Sequence, residues 1–198
     1  MSKEKEILLG NIDACKQRIE KLSYSLNKNR PLFPLTTKTV AQLSDEQEES
    51  IDALILRYSQ IVSMIQDQVF RGIAYIEQED ISHKSNRDKV LLMEKLGAIR
   101  SADEFGTAAV LRNKFAHHYP EAITERMNRL NLVIEEADFM ITVFEDVLAF
   151  MRFKAAILIM TTTYPISSLG GRIIRLSSLQ DQLSNIKLMR CSQLSKQK

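Results

Sequence analysis

From Ile123 to Ala155 the apolar side chains Ile123, Met127, Leu130, Ile134, Ala137, Ile141, Phe144, Leu148, Met151 and Ala155 return at alternating steps of four and three. A repeat of about 3.5 residues held over more than four heptads keeps one helical stripe turned to a neighbour along its whole length. A strand alternates at every second residue, so this stretch reads as one long helix. Its stripe must lie along another helix, in the same protomer or in a partner. Six Gly and four Pro in 198 residues are too few for the turns of an all-β fold or for Gly-rich nucleotide loops. The expected fold class is all-α, and 44% apolar content suffices for the core of one domain.

The other helices carry their own signals. Leu8, Ile12, Cys15, Ile19, Leu22 and Leu26 share one stripe, which Asn29-Arg30-Pro31 and Pro34 end. Ser44 with Gln47 makes a capping-box start for a second helix, through Ile51, Leu54, Tyr58, Ile61, Ile65, Val69 and Ile73 to about Glu77. A short third helix fits Asn86 to Leu96, with Gly97 as its stop. Ser101 and Glu104 form another capping box, opening a fourth helix through Phe105, Ala109 and Arg112 until Tyr119-Pro120 interrupts it. After the long helix, Pro165 and Gly170-Gly171 break the chain, and Leu176, Leu179, Leu183 and Ile186 offer a weak amphipathic helix with a basic polar face. The pattern divides into a helical domain over residues 1–160 and a basic extension over residues 161–198.

Residues 1–150 carry 19 basic and 24 acidic side chains and residues 151–198 carry 8 and one, so a body of −5 and a tail of +7 make the total of +2. Such a tail either meets a polyanion or serves as a solvated extension. Cys15 and Cys191 stand without CxxC or Cys/His spacing, which indicates neither a disulfide framework nor a zinc site and makes a reducing cytoplasm the expected location. The start lacks the basic-then-apolar pattern of a secretory signal, and no run approaches the roughly 18 apolar residues of a membrane span.

Chemistry concentrates in Leu111-Arg112-Asn113-Lys114-Phe115-Ala116-His117-His118-Tyr119-Pro120, which holds two of the three histidines. Adjacent histidines on a helix point about 100° apart, unlike the i,i+4 pair that grips one ion, and no carboxylate stands at ligand spacing, so no metal is expected. No Gly-x-Ser-x-Gly elbow is present. Acid-base and anion chemistry remain: an imidazole moves protons near neutral pH, and an arginine fork holds phosphate. Arg112 and His117 stand roughly 140° apart on an ideal helix. They share a face only if the helix ends or turns near His117, which Pro120 favours.

Arg112, His117 and Tyr119 spell R-x4-H-x-Y, which resembles the motif of HEPN-domain ribonucleases and, most closely, of HepT-type toxins. Glu94-Lys95-Leu96-Gly97-Ala98-Ile99 followed by Ser101-Ala102-Asp103-Glu104-Phe105 resembles the lead-in to that motif in HepT-like proteins. Arg57-Tyr58-Ser59, with Gln66-Asp67 and Phe70-Arg71, loosely resembles the polar positions of their preceding long helix. The resemblance covers about residues 45–150. With 13 Arg, three His and five Tyr in the chain, chance supplies about 0.2 copies of R-x4-H and about 0.005 of the full motif.

The resemblance implies a HEPN-type antiparallel bundle that pairs as a twofold homodimer with a composite site, and a metal-independent endoribonuclease with no cofactor. The ribose 2′-OH would attack phosphorus, with His117 moving protons, Arg112 stabilising the phosphorane and Asn113 orienting the pair or binding phosphate. Lys114 and His118 would support the site or bind RNA; His118 also stands as a candidate imidazole, although the register favours His117. The substrate would be RNA, whether tRNA or mRNA. An MNT-type nucleotidyltransferase antitoxin would be the partner and would adenylylate Tyr119.

Plainer readings stand beside these. Arg112 and His117 could complement the helix macrodipole, Tyr119 could be a half-buried aromatic before proline, Lys114 a solvated lysine, and His83 a loop residue without a role. Met127, Met140 and Met151 read as core or dimer face rather than a cofactor box. Arg57 and Asp67 either support the site or make helix-surface ion pairs. A non-catalytic HEPN-fold module that recruits a nucleotidyltransferase or RNA is the competing function.

Overall fold

The computed structural model describes residues 3–116 and 122–163, with side chains as far as Ile157, and every regular element among them is helical. Contacts divide the chain into units of residues 1–154 and 155–198, and the described part of the second is helical.

Helix α1 (Lys3–Asn29) buries the expected stripe of Leu8, Ile12, Cys15, Ile19, Leu22 and Leu26. A 3-10 turn at Arg30–Leu32 follows, and then α2 (Thr37–Val40), a single turn capped by Thr36 inside what reads as a polar linker. The linker is tied down because the Asn131 side chain accepts from the Leu35 N–H at 2.7 Å and donates to the Leu35 carbonyl at 2.9 Å. Beneath it Leu35, Val40, Ile51 and Leu130 form a small second core.

Helix α3 (Asp45–Met64) starts at the Ser44 capping box, with Ser44 Oγ accepting from Gln47 N–H and Gln47 Oε1 accepting in return at 2.9 Å. A π turn at Ile65–Val69 joins it without a break to α4 (Phe70–Ile76). The apolar steps explain that turn. Ile61, Ile65, Val69 and Ile73 are spaced by four throughout, and on an ideal helix three such steps drift by about 120°. An i→i+5 turn rotates less per residue and keeps all four side chains on the buried face, where each is fully buried.

Helix α5 (Asn86–Leu96) ends at Gly97, whose φ of 77° is the left-handed stop. Helix α6 (Ala102–Ala116) starts after Ser101, as expected. Ser101 Oγ accepts the Glu104 N–H at 3.1 Å, and the Ala102 N–H goes in addition to the Glu94 carboxylate of α5 at 3.2 Å, a charge that suits a helix N-terminus.

Helix α7 (Ile123–Thr163) is the single long helix the heptads require. Its buried face differs in part. Leu130, Ala137 and Phe144 are buried as expected, but Val133, Met140 and Val147 complete the seam, while Ile134, Ile141, Leu148 and Met151 are half-buried on its flank. Ile123 is 45% exposed.

Pair contacts set the helix directions. Leu8 meets Gly72 and Asn29 meets Ser50, so α1 runs antiparallel to α3 and α4. Phe105 lies against Phe70 with ring centroids 5.0 Å apart, and Arg112 bonds Ser63, so α6 is antiparallel to them as well. Arg100 pairs with Asp146 at 2.7 Å and Arg129 reaches the Lys114 carbonyl at 3.0 Å, so α7 returns antiparallel to α6. The four long elements therefore alternate down, up, down, up around one core. Arg30–Asp138, Arg126–Glu48 and Lys154–Glu77 add ion pairs between α7 and the chain packed against it.

The Leu8–Gly72 approach of α1 to α4 is close. A Cβ on Gly72 would stand 2.6 Å from Leu8 Cδ1 and 3.1 Å from Leu8 Cβ, whereas one on Gly10 would meet nothing within 4 Å. Gly72→Ala should destabilise the fold by about 1–3 kcal/mol through overpacking. Gly10→Ala should stabilise it by about 0.5–1 kcal/mol through helix propensity. Urea unfolding of the two variants checks both signs; equal midpoints would contradict the close crossing.

Candidate functional site

On α6 the buried positions are Ala102, Phe105, Ala108 and Leu111, and Arg112, on the flank of that stripe, reaches Ser63 of α3. The Arg112 guanidinium donates from one Nη to Ser63 Oγ at 2.8 Å and from the other to Asn113 Oδ1 at 2.9 Å. Two neutral oxygens thus orient the fork. Among the described residues no carboxylate pairs with it.

The helix under Arg112 is pinned from both sides. Tyr58 is fully buried on α3 and donates its hydroxyl to the Ala108 carbonyl at 2.7 Å. Burial, with Glu136 nearby, pushes the Tyr58 hydroxyl well above its ordinary pKa and keeps it a donor. Phe115 packs edge-on to the Tyr58 ring at 6.5 Å, and the Arg129 guanidinium of α7 lies 5.2 Å from the Phe115 centroid.

Arg112 borders a groove of about 1070 Å³ whose walls come from α1, α3, the end of α6 and the start of α7. Four arginines line it, Arg18, Arg112, Arg126 and Arg129, against two carboxylates, Glu48 and Asp52. Arg126 is neutralised by Glu48 at 2.7 Å, and Arg18 donates to the Gln60 amide. Ser59, Ser63 and Gln68 add hydroxyl and amide groups, while Ile51, Ile55, Met64, Phe115 and Leu130 make an apolar wall. Such a surface suits an anion that carries an apolar or aromatic portion.

The structure brings Arg112 and Asn113 together and leaves Lys114 exposed outside the groove lining, with its carbonyl accepting from Arg129. His117, His118 and Tyr119 lie outside the described residues; Ala116, the residue before His117, lines the groove. Arg57 does not serve this site: it reaches across to α1, donating to Ser25 Oγ and to the Lys21 carbonyl. Asp67 is exposed in the π turn and does not line the groove, and His83 is exposed in its loop. Among the described residues no group of three His, Cys, Asp or Glu could hold a metal ion, and no helix is long and apolar enough to cross a membrane.

Ser63, Arg18, Arg126 and Arg129 escape the sequence reading. Arg126 and Arg129 do carry a signal, since a basic i,i+3 pair soon after the motif shares one helix face. Ser63 and Arg18 carry none, because only packing brings distant helices to Arg112.

No family model, no curated protein and no solved structure matches the chain.

The Glu136 near Tyr58 generates a pH-dependent expectation. Burial, then Glu135 and Glu104, hold its carboxyl above the usual carboxylate range. A raised pKa in the folded state means its contribution to stability is fully present below the unfolded value of about 4.3 and is lost as pH rises through the folded value. Glu136→Gln should therefore raise Tm at pH 7 and leave it unchanged at pH 3. A lower Tm at pH 7 would show that the carboxylate is favourably placed instead.

Proposed function

We propose that this chain is a HepT-like toxin, a HEPN-type endoribonuclease that needs no metal and acts in the cytoplasm. The observation that carries the reading is the Arg112 guanidinium, held by Ser63 and Asn113 without a carboxylate partner among the described residues, at the head of an R-x4-H-x-Y sequence. A cation oriented by neutral acceptors keeps its charge for a ligand, and the arginine-rich groove beside it suits a polyanion such as RNA.

In this reading the ribose 2′-OH attacks the adjacent phosphorus and the 5′ oxygen leaves. His117 moves the protons, Arg112 and Asn113 hold the charge that builds on the phosphoryl oxygens, and two protomers meet about a twofold axis to complete the site. With purified protein, dimeric by light scattering, and total RNA in EDTA, Arg112→Ala or His117→Ala should lower the cleavage rate by about 10²–10⁴ with helical content unchanged. Equal cleavage by wild type and His117→Ala would end this mechanism. RNA binding without cleavage by wild type would make the chain the non-catalytic module.

The same reading gives the chain an MNT-type nucleotidyltransferase partner that attaches AMP to Tyr119. The added phosphate and base would repel and block RNA two residues from His117. Intact mass after co-expression with such a partner, ATP and magnesium should show AMP on wild type and none on Tyr119→Phe. Modification that persists in Tyr119→Phe would mean another residue is the acceptor.

A further inference from the structure

Ser63 sits on α3 one turn before Gln68 of the π turn, and both line the groove with Arg112. Its Oγ is the acceptor in the 2.8 Å bond from the Arg112 guanidinium. A hydroxyl that accepts still has its own proton to donate. Helical hydroxyls elsewhere in this fold give that proton to the carbonyl one turn back: Ser23 to Ile19 at 2.9 Å, Thr107 to Asp103 at 3.2 Å and Thr142 to Asp138 at 3.2 Å. Ser63 makes no such bond. Its one hydrogen bond among the described residues is the one it accepts. The donor is therefore left beside the remaining N–H groups of Arg112, at the edge of a groove wide enough for a ligand.

We propose that Ser63 is a second anion-holding group of the Arg112 site, orienting the guanidinium through its lone pair and donating its hydroxyl proton to the phosphate oxygen that Arg112 holds. The inference rests on the endoribonuclease reading for its substrate. A half-buried serine at this position on α3 gives Arg112 both a fixed rotamer and a neighbour that binds the same oxygen from a second direction. A carboxylate in its place would orient the arginine equally well but would neutralise it and repel the phosphate.

The test uses the full chain and three proteins: wild type, Ser63→Ala and Ser63→Thr. Alanine favours helix and fills part of the same space, so Ser63→Ala should fold with an unchanged or slightly higher Tm. Its RNA cleavage should fall by about 10- to 100-fold in kcat, as for loss of one donor to a charged transition state. KM should stay within about threefold, because RNA is held by many contacts besides this one. Ser63→Thr restores the hydroxyl and should restore kcat.

If Ser63→Ala cleaves as fast as wild type, or if threonine fails to restore the rate, the proposal is overturned. If wild type itself does not cleave, the endoribonuclease reading fails, and Ser63 is judged on inorganic phosphate, followed through the backbone amide signals of Ser63 and Arg112. Phosphate should then bind about tenfold more weakly to Ser63→Ala and normally to Ser63→Thr, as for a hydrogen bond to a charged group. Equal phosphate affinity in all three proteins, or no response at those amides in wild type, would sink the idea.

Discussion

The apolar seam of α3 and α4 is the constraint on which the rest of the molecule depends. Ile51, Leu54, Tyr58, Ile61, Val62, Ile65, Val69, Phe70, Ile73 and Ala74 are buried along it, and both α1 and α6 pack against it. Each large side chain there contributes roughly 1.5–3 kcal/mol on burial, far more than any surface contact. The register of α6 follows from this seam. With Phe105 held against Phe70 and Phe115 against Tyr58, the residue between them that can reach Ser63 is Arg112.

The ion pairs play a smaller part. Arg30–Asp138 and Arg126–Glu48 have side chains between 42% and 49% exposed, and such half-exposed pairs contribute only about 0–1 kcal/mol. They lie where α7 meets the linker and the start of α3, so their effect is on alignment. The groove shows the opposite economy of charge: Arg126 is matched by Glu48, while Arg112 is held by an amide and a hydroxyl. The buried hydroxyl of Tyr58 completes the arrangement by bonding the α6 backbone one turn before Arg112, which fixes where that turn begins.

Burial elsewhere suppresses chemistry. The Cys15 thiol is fully buried in the α1 seam and is pushed up to about 12, so at neutral pH it is a small apolar core group and no nucleophile. Asn29 is also fully buried; its amide N–H bonds the Ser25 and Ser50 carbonyls at 2.9 and 3.0 Å and so ties the end of α1 to the start of α3.

The amino-acid sequence determined the all-helical class, the ends of α1 at Asn29, of α5 at Asn86 and Leu96, and the start of α3 after Ser44, because caps, stops and apolar period act within a few residues. It also placed Arg112 and Asn113 together, since they are neighbours in the chain. It could not choose between Val133 and Ile134, Met140 and Ile141, or Val147 and Leu148, each pair being apolar on both sides of the α7 stripe. The position of the neighbouring helices made that choice. The same holds for Ser63, Arg18 and the turn of Arg57 towards α1: nothing local marks them, and only the packing of helices far apart in the chain decides which polar side chain stands beside Arg112 and which is drawn away from it.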